Sequence, residues 1–266
     1  MAYAMKDLVK KFAWEAKDVV IVNDPFMGGT HLPDVTVITP IFVDGSLAAF
    51  AATRAHHADI GCDSAGSMPL SSSIHQEGLL ISPCYLYKRG VVVEETRNLL
   101  ERRLKNPQNT YADIAAQVSA NSRGVAELKK LASRYGLSGF KDALRALMQY
   151  ANKLAKTATQ KIPNGVYEAS ESLDNDGFSS EPIKIVVSVR VSSDEITVDF
   201  LATSSSVQGN LNCPISVTAA AVYYVFFSLM PKETPACAGS LKVINISAPL
   251  GSLVNAQLPS AVAAGN

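Results

Sequence analysis

Three of the four histidines in this chain lie in two short blocks, and each block also holds an acidic residue. The first block, residues 31–34, reads His-Leu-Pro-Asp and directly follows a segment that contains Gly28 and Gly29. The second block, residues 54–59, reads Arg-Ala-His-His-Ala-Asp. Imidazole and carboxylate groups together suit a divalent metal such as zinc, manganese or iron. The two blocks therefore predict a metal-dependent active site.

A hairpin between the blocks would bring them together. Residues 35–42 and 47–53 are apolar runs typical of strands, and Asp44-Gly45 lies between them. Asp-Gly is a strong hairpin signal because glycine tolerates the positive φ that a two-residue turn requires. If the chain reverses at this point, the start of the first strand lies beside the end of the second. One turn then places the two histidine blocks side by side.

The register of this hairpin decides which histidine faces Asp34, since neighbouring strand residues point to opposite faces. A two-residue turn pairs Asp34 with Ala55 and puts His57 on the same face as Asp34. A three-residue loop with a glycine bulge shifts the pairing by one residue and favours His56. The spacing alone leaves both arrangements open.

A long loop and a long helix follow the hairpin. Residues 61–82 are rich in glycine, serine and proline, and long loops of this kind often carry function. Residues 108–135 predict a helix that ends at the following glycine. Asp113, Gln117 and Asn121 fall at i, i+4 and i+8, so they share one face of this helix. That face is either solvated or a buried polar lining.

The C-terminal part of the chain returns to strands. Apolar residues alternate over 183–191 and again over 196–200, a pattern that predicts two strands joined by a turn. Residues 217–230 predict a buried helix, and residues 241–248 predict a last strand.

These elements predict an α+β fold with three regions. Residues 1–105 are a β-rich region that holds the metal site, and residues 106–160 are a central helical segment. Residues 161–266 are a mixed region of strands with a buried helix. The regions are either separate domains or parts of one continuous domain.

Charge and composition argue against several classes of protein. Lysine plus arginine and aspartate plus glutamate both number 24, so the formal net charge is zero and gives no support for a nucleic-acid or membrane partner. No apolar run is long enough to span a bilayer, and charges interrupt the N-terminal apolar pattern, unlike a secretory signal. The four cysteines are scattered, unlike those of a disulfide framework. We expect a cytoplasmic protein.

Motifs for nucleotide binding are missing from the sequence. It contains neither a Gly-x-x-x-x-Gly-Lys-Ser/Thr phosphate loop nor a dinucleotide fingerprint between a strand and a helix. A Gly-x-Ser-x-Gly nucleophile elbow is also missing. If the reaction uses a nucleotide, we expect another subunit to bind it.

The chain resembles the hydantoinase B / 5-oxoprolinase family, in particular its HyuB-type subunit. The similarity rests on residues 23–34 and 54–61, on Gly-Ser-Met-Pro at 66–69, and on Glu77-Gly78. It continues at residues 113–121, 163–167 and 209–212 and runs over nearly the whole chain. The family subunit extends beyond both ends of this chain, so the resemblance implies a fragment or a shortened version.

The resemblance implies ATP-dependent chemistry on small molecules. Some members of the family open cyclic amides such as hydantoins, 5-oxoproline or lactams, and related proteins carboxylate ketones such as acetone or acetophenone. In both groups a HyuA-like partner binds ATP and phosphorylates, while the HyuB-like subunit carries a metal site. We expect the metal-containing subunit of a cyclic-amide hydrolase in a hetero-oligomer. The alternatives are a ketone-carboxylase subunit and a truncated, non-catalytic assembly subunit.

The resemblance also implies roles for individual residues. The family's metal triad falls on His31, Asp34 and His56, which favours the shifted hairpin register, and zinc or manganese is the expected ion. Such an ion would activate water for attack on the phosphorylated amide. We expect His57 or Asp59 to relay the proton.

Five further residues in the matched motifs are expected to support catalysis or bind substrate. Asp24 lies in an Asn-Asp-Pro turn, and its alternative role is an additional ligand or base. Gly28 and Gly29 would let the backbone approach the substrate closely. Arg54 and Ser67 are the other expected substrate contacts.

Overall fold

The N-terminal part of the chain forms a five-stranded antiparallel sheet in the computed structural model, which describes residues 5 and 7–265. All four side chains of the central strand are buried, as its uninterrupted Val-Val-Ile-Val run requires. The strands predicted over 35–42 and 47–53 are confirmed, each with a few more residues at its ends. In sheet order the strands are β3 (Ser46–His56), β2 (Asp34–Val43), β1 (Val19–Val22), β4 (Cys84–Lys88) and β5 (Val91–Val92).

Two helices pack on this sheet. Helix α1 spans Glu94–Arg103, and helix α2 spans Pro107–Thr159 with an interruption at Gly136, where φ is 70°. The predicted end of the helix at this glycine is therefore confirmed as a break, after which the chain resumes helical geometry. Leu100 of α1 and Ile114 of α2 are buried in one apolar cluster with side chains of β1 and β2. This packing sets α2 against the hairpin.

The β2–β3 hairpin pairs Asp34 with His56. Its connection is the predicted two-residue turn, in which Asp44 and Gly45 both adopt positive φ, 48° and 75°. Glycine and aspartate are among the residues that tolerate this backbone geometry in tight hairpins. The turn and the meeting of the two histidine blocks are thus confirmed.

The register shift arises inside the strand and not in the loop. Phe42 pairs with Leu47, but Ile41 pairs with Ala49, so Ala48 is an extra residue in β3. Such a β-bulge moves every later residue of the strand to the opposite face relative to its partner strand. The expectation of a three-residue loop is therefore wrong, although the shift of one residue is present.

The C-terminal part forms a second sheet of four strands. The predicted strands over 183–191 and 196–200 are confirmed as β7 (Ile183–Ser192) and β8 (Glu195–Asp199), and β8 pairs in parallel with the last strand. The other pairs are antiparallel. In sheet order the strands are β6 (Gly165–Leu173), β7 (Ile183–Ser192), β8 (Glu195–Asp199) and β9 (Ile244–Ser247).

Helix α3 (Ile215–Ser228) packs on this second sheet with one face only. Ala219 and Val222 are buried, whereas Tyr224 is 78% exposed and Val225 is 54% exposed. The expectation of a fully buried helix is therefore wrong. Its sequence is apolar all round, which is typical of buried helices, but part of that surface stays exposed in this chain.

Glu77 connects the two parts of the chain. Its carboxylate oxygen Oε1 accepts hydrogen bonds from the backbone N–H groups of Val262 and Ala263, at 2.8 and 3.0 Å, and from the hydroxyl of Ser71 at 2.7 Å. The side chain is fully buried, and this burial raises the pKa of Glu77. A buried acceptor thus fixes the C-terminal segment to the loop that follows the hairpin.

The combination of two sheets with the helices that pack on them confirms the α+β class. The division at residues 105 and 160 stays a prediction. Within the described ranges, no helix has both the length and the apolar character needed to cross a bilayer.

Candidate metal centre

His31, Asp34 and His56 each bring one potential ligand atom to within 4.8 Å of the others. The hairpin positions two of them, because Asp34 begins β2 and His56 ends β3, and His56 Nδ1 lies 3.0 Å from Asp34 Oδ1. His31 lies in the loop before β2, with its ring centre 5.6 Å from that of His56. The structure therefore brings together the three residues that the resemblance implies as metal ligands.

The environment of His31 leaves one ring nitrogen free. The side chain is buried, and its Nε2 has no hydrogen-bond partner among the described residues. The ring also makes a hydrogen bond with the backbone of Ser67. Burial lowers the pKa of His31 below its ordinary value of 6.5, although the charge of Asp34 opposes the shift. A neutral imidazole with one nitrogen bonded to the protein and the other free is the form that ligates metals.

Asp34 is oriented by the hydroxyl of Thr30, which in turn lies within reach of the Arg54 guanidinium. The hydroxyl of Thr30 donates to Asp34 Oδ2 at 2.7 Å. Arg54 donates from Nε to the hydroxyl of Thr36 at 2.9 Å and from Nη2 to the carbonyl of Gly28 at 3.2 Å, and its Nη1 lies 3.4 Å from Thr30 Oγ1. Burial lowers the pKa of Arg54, while Asp34 raises it. Arg54 thus ties the loop to the hairpin, and its expected contact with substrate stays a prediction.

Asn23 fixes the loop that carries His31. Its side chain is fully buried, and Nδ2 donates to the carbonyls of Leu32 and Leu79, at 2.7 and 2.9 Å. Its Oδ1 accepts the backbone N–H of Ile81 at 2.7 Å. One amide side chain thereby satisfies three backbone groups that would otherwise be buried without partners. These bonds hold the loop in place behind the triad.

The residues around Gly28 and Gly29 form a tight turn. Asp24 caps it, because its Oδ1 accepts the backbone N–H of Phe26 at 2.9 Å, and burial raises the pKa of this carboxyl group. Gly28 has a φ of 93°, and a Cβ added to Gly29 would lie 2.6 Å from the backbone oxygens of both Asn23 and Asp24. The left-handed backbone therefore explains Gly28, and close approach of the chain to itself explains Gly29. Contact of these glycines with substrate, and a ligand or base role for Asp24, stay predictions.

The two residues expected to relay a proton are held by other parts of the protein. His57 is 1% exposed, and its Nε2 lies 2.9 Å from Oε1 of Gln117 on α2. Asp59 accepts the backbone N–H of Gly61 at 2.8 Å and that of Asn106 at 2.6 Å. These hydrogen bonds show that both side chains stabilise the local structure. Their role as proton relays stays a prediction.

Ser67 connects His31 to a cavity of about 280 Å³. Its side chain is buried, and the same cavity is lined by Ala58, Asp59 and Lys105. The lining of this cavity carries charged groups of both signs, so a small polar molecule can find complementary contacts in it. The expected contact between Ser67 and substrate stays a prediction.

The donor set of the triad fits a divalent metal. Two imidazoles and one carboxylate are ligands that zinc and manganese accept, and a buried nitrogen without a partner is costly unless an ion or water satisfies it. Three protein ligands also leave coordination positions open, as catalytic metal sites require. The sequence pattern did not identify Thr30 as a partner of Asp34, although Thr30 directly precedes the first block.

Known proteins of one family match this chain over nearly its whole length. The sequence matches the hydantoinase B/oxoprolinase family over residues 1–266. It is 34% identical over 272 residues to 5-oxoprolinase 1 of Arabidopsis thaliana, covering 94% of this chain and 22% of that protein. It is 32% identical to a putative D-/L-hydantoinase subunit of a Pseudomonas species, covering 91% of this chain and 43% of that protein. The chain spans less than half the length of these relatives.

A solved structure shares the fold. The ATP-dependent caprolactamase from Pseudomonas jessenii superposes with a TM-score of 0.89 at 26% sequence identity. The match covers 98% of this chain and 46% of that protein chain.

Proposed function

Because this chain belongs to the hydantoinase B/oxoprolinase family, we propose that it carries the metal centre of an ATP-dependent enzyme that opens cyclic amides. The observation that carries this proposal is the triad, in which each residue brings a ligand atom to within 4.8 Å of the others and Nε2 of the buried His31 has no partner among the described residues. The names of the relatives support the class of substrate, since they include a 5-oxoprolinase, a hydantoinase subunit and a caprolactamase.

The triad would hold zinc or manganese through His31, Asp34 and His56. A divalent ion in this position supplies Lewis-acid chemistry, which polarises a carbonyl group or lowers the pKa of water. The protein contributes the geometry: the Thr30 hydroxyl fixes one carboxylate oxygen of Asp34, and the backbone of Ser67 fixes the ring of His31. Partners of this kind orient metal ligands and strengthen binding.

The substrate would occupy the cavity lined by Ser67, the residue whose backbone bonds His31. A small ring with a polar amide fits a cavity of about 280 Å³ that contains both Asp59 and Lys105. In this proposal ATP binds to a HyuA-like partner, which phosphorylates the amide oxygen, and the two subunits form a hetero-oligomer. The relative that is named as a hydantoinase subunit supports this assembly.

The test is an activity assay with the partner present. The protein copurified with its HyuA-like partner is given ATP and, separately, 5-oxoproline, hydantoin and caprolactam, and the ring-opened acid is measured. We expect ATP-dependent opening of one of these rings, lost in His56→Ala and retained in His75→Ala, which removes an exposed histidine outside the triad. Bicarbonate incorporation into acetone or acetophenone would instead indicate the carboxylase alternative. A metal-free, inactive complex would indicate an assembly role.

A further inference from the structure

We infer that Gln117 of helix α2 is a positioning residue for the metal centre, an inference that rests on the proposed function. Its side chain is 6% exposed and lies behind the end of the hairpin. Through three hydrogen bonds it fixes the ends of both strands, and so sets the distance between Asp34 and His56. It does not touch the proposed ion or the substrate; it acts through other residues.

Two of the three partners of Gln117 are adjacent in sequence to a residue of the triad, and the third is adjacent to Arg54. Its Oε1 lies 2.9 Å from Nε2 of His57, the neighbour of His56. Its Nε2 donates to the carbonyl of Val35, the neighbour of Asp34, at 3.0 Å. The same Nε2 lies 3.4 Å from the carbonyl of Thr53, the neighbour of Arg54. One amide group thus connects β2, β3 and the residue after β3.

The orientation of this amide is fixed by its partners. Because two carbonyl oxygens face the amide nitrogen, the oxygen of Gln117 must face His57 and accept its proton. His57 therefore carries hydrogen on Nε2. A flipped amide would set its oxygen against two carbonyl oxygens and its NH₂ against an N–H group. The Gln117 amide consequently has one stable orientation. In this orientation it can hold β2 and β3 in a single register.

The hydrogen bonds of Gln117 lie at the end of the hairpin that carries the two metal ligands. Asp34 is the first residue of β2 and His56 is the last residue of β3, so the strand pairing ends with these two ligands. The bulge at Ala48 shows that this hairpin accommodates a shift of one residue. A side chain that fixes Val35 and Thr53 together holds the end of the pairing in the register that sets His56 opposite Asp34.

Asn121 provides a matched control one helical turn further along α2. It is also buried, and its Nδ2 donates to the carbonyl of Val37 at 2.9 Å and lies 3.4 Å from the hydroxyl of Thr39. Both of these partners belong to β2, and neither is adjacent to a residue of the triad. Asn121 therefore makes the same kind of contact between helix and sheet without the connection to β3.

The experiment compares Gln117→Met with Asn121→Leu, two replacements that keep much of the volume and remove the amide. Zinc and manganese affinities are measured on the protein copurified with its partner, and unfolding of the metal-free protein is followed in parallel. We expect both variants to lower the unfolding midpoint. Gln117→Met should weaken metal binding by about 10-fold, the lower end of the loss that follows removal of a direct partner of a metal ligand, because Gln117 acts through the neighbours of the ligands. Asn121→Leu should leave metal binding within about 3-fold of the wild type.

Gln117→Asn is a second variant in case Gln117→Met fails to fold. It retains the amide group but is one methylene shorter and cannot reach all three partners, so we expect a metal affinity between that of the wild type and that of Gln117→Met. Equal metal affinity in the wild type and the Gln117 variants would overturn this inference alone, as would equal weakening by Asn121→Leu. A wild-type protein that binds neither metal would overturn the proposed function as well.

Discussion

Replacing His56 and His57 one at a time should separate metal binding from stability, although the two residues are adjacent. His56 is a proposed ligand at the surface, with a side chain that is 55% exposed. His57 is 1% exposed and bonded to Gln117. We therefore expect His56→Ala to abolish metal binding with little effect on the fold. His57→Ala should weaken the fold and leave a weaker metal site.

The magnitudes follow from these environments. His57→Ala leaves Oε1 of Gln117 buried without its donor, which costs about 1–3 kcal/mol, and opens a ring-sized cavity that adds a cost of similar size. The free energy of unfolding of the metal-free protein should fall by about 3 kcal/mol in total. His56→Ala removes one partly exposed pair with Asp34, so its effect should stay below about 1 kcal/mol.

The assay is denaturant unfolding of both metal-free variants, together with metal titration. Urea midpoints give the stability difference, provided that the slope of the transition is unchanged. Equal losses of stability in the two variants would refute the assignment of the two histidines to opposite faces of the strand. Full metal binding by His56→Ala would remove that residue from the proposed ligands.

Three more predictions follow from buried groups. Glu77→Ala leaves three buried donors without an acceptor and should cost at least about 3 kcal/mol in urea unfolding, whereas Glu77→Gln keeps an acceptor and should cost below about 1 kcal/mol. Gly29→Ala should abolish metal binding in a titration, because its Cβ would lie 2.6 Å from two backbone oxygens, while Gly45→Ala, which meets open space, should keep it. Burial holds the pKa of His31 below 6.5 in the folded protein. Unfolding of the metal-free protein should therefore become easier as the pH falls below about 6.5, and this dependence should weaken in His31→Ala.

The hairpin could be predicted from sequence, but its bulge could not. Asp44-Gly45 between two apolar runs indicates a tight turn, and the structure has that turn. Register is specified when one face of a strand is clearly apolar and the other clearly polar. Residues 47–52 read Leu-Ala-Ala-Phe-Ala-Ala, and alanine fits either face, so the pattern does not mark the extra residue Ala48.

The sequence patterns of strand β6 and of the polar face of α2 were too weak to predict their structure. Strand β6 (Gly165–Leu173) is exposed at eight of its nine residues, so it lacks the apolar alternation that identifies half-buried strands. The face of α2 with three polar residues was ambiguous, and the structure divides it: Asp113 is exposed, while Gln117 and Asn121 are buried. Only tertiary contacts decide this, because a buried amide and a solvated one look alike in the sequence.

The triad itself was accessible from sequence because its three ligands come from two compact blocks joined by one turn. The spacing left His56 and His57 as equal candidates, and the family resemblance favoured His56. The support around the triad was less accessible, since Asn23, Arg54 and Gln117 act through backbone groups and through other side chains. Such partners depend on where distant loops meet.

The most direct test of the central claim is metal analysis of the protein copurified with its HyuA-like partner. We predict about one zinc or manganese ion per chain, lost in His31→Ala and in His56→Ala and retained in His75→Ala. Metal-free wild-type protein that cannot be loaded with either ion would contradict the account, and so would full occupancy in His31→Ala.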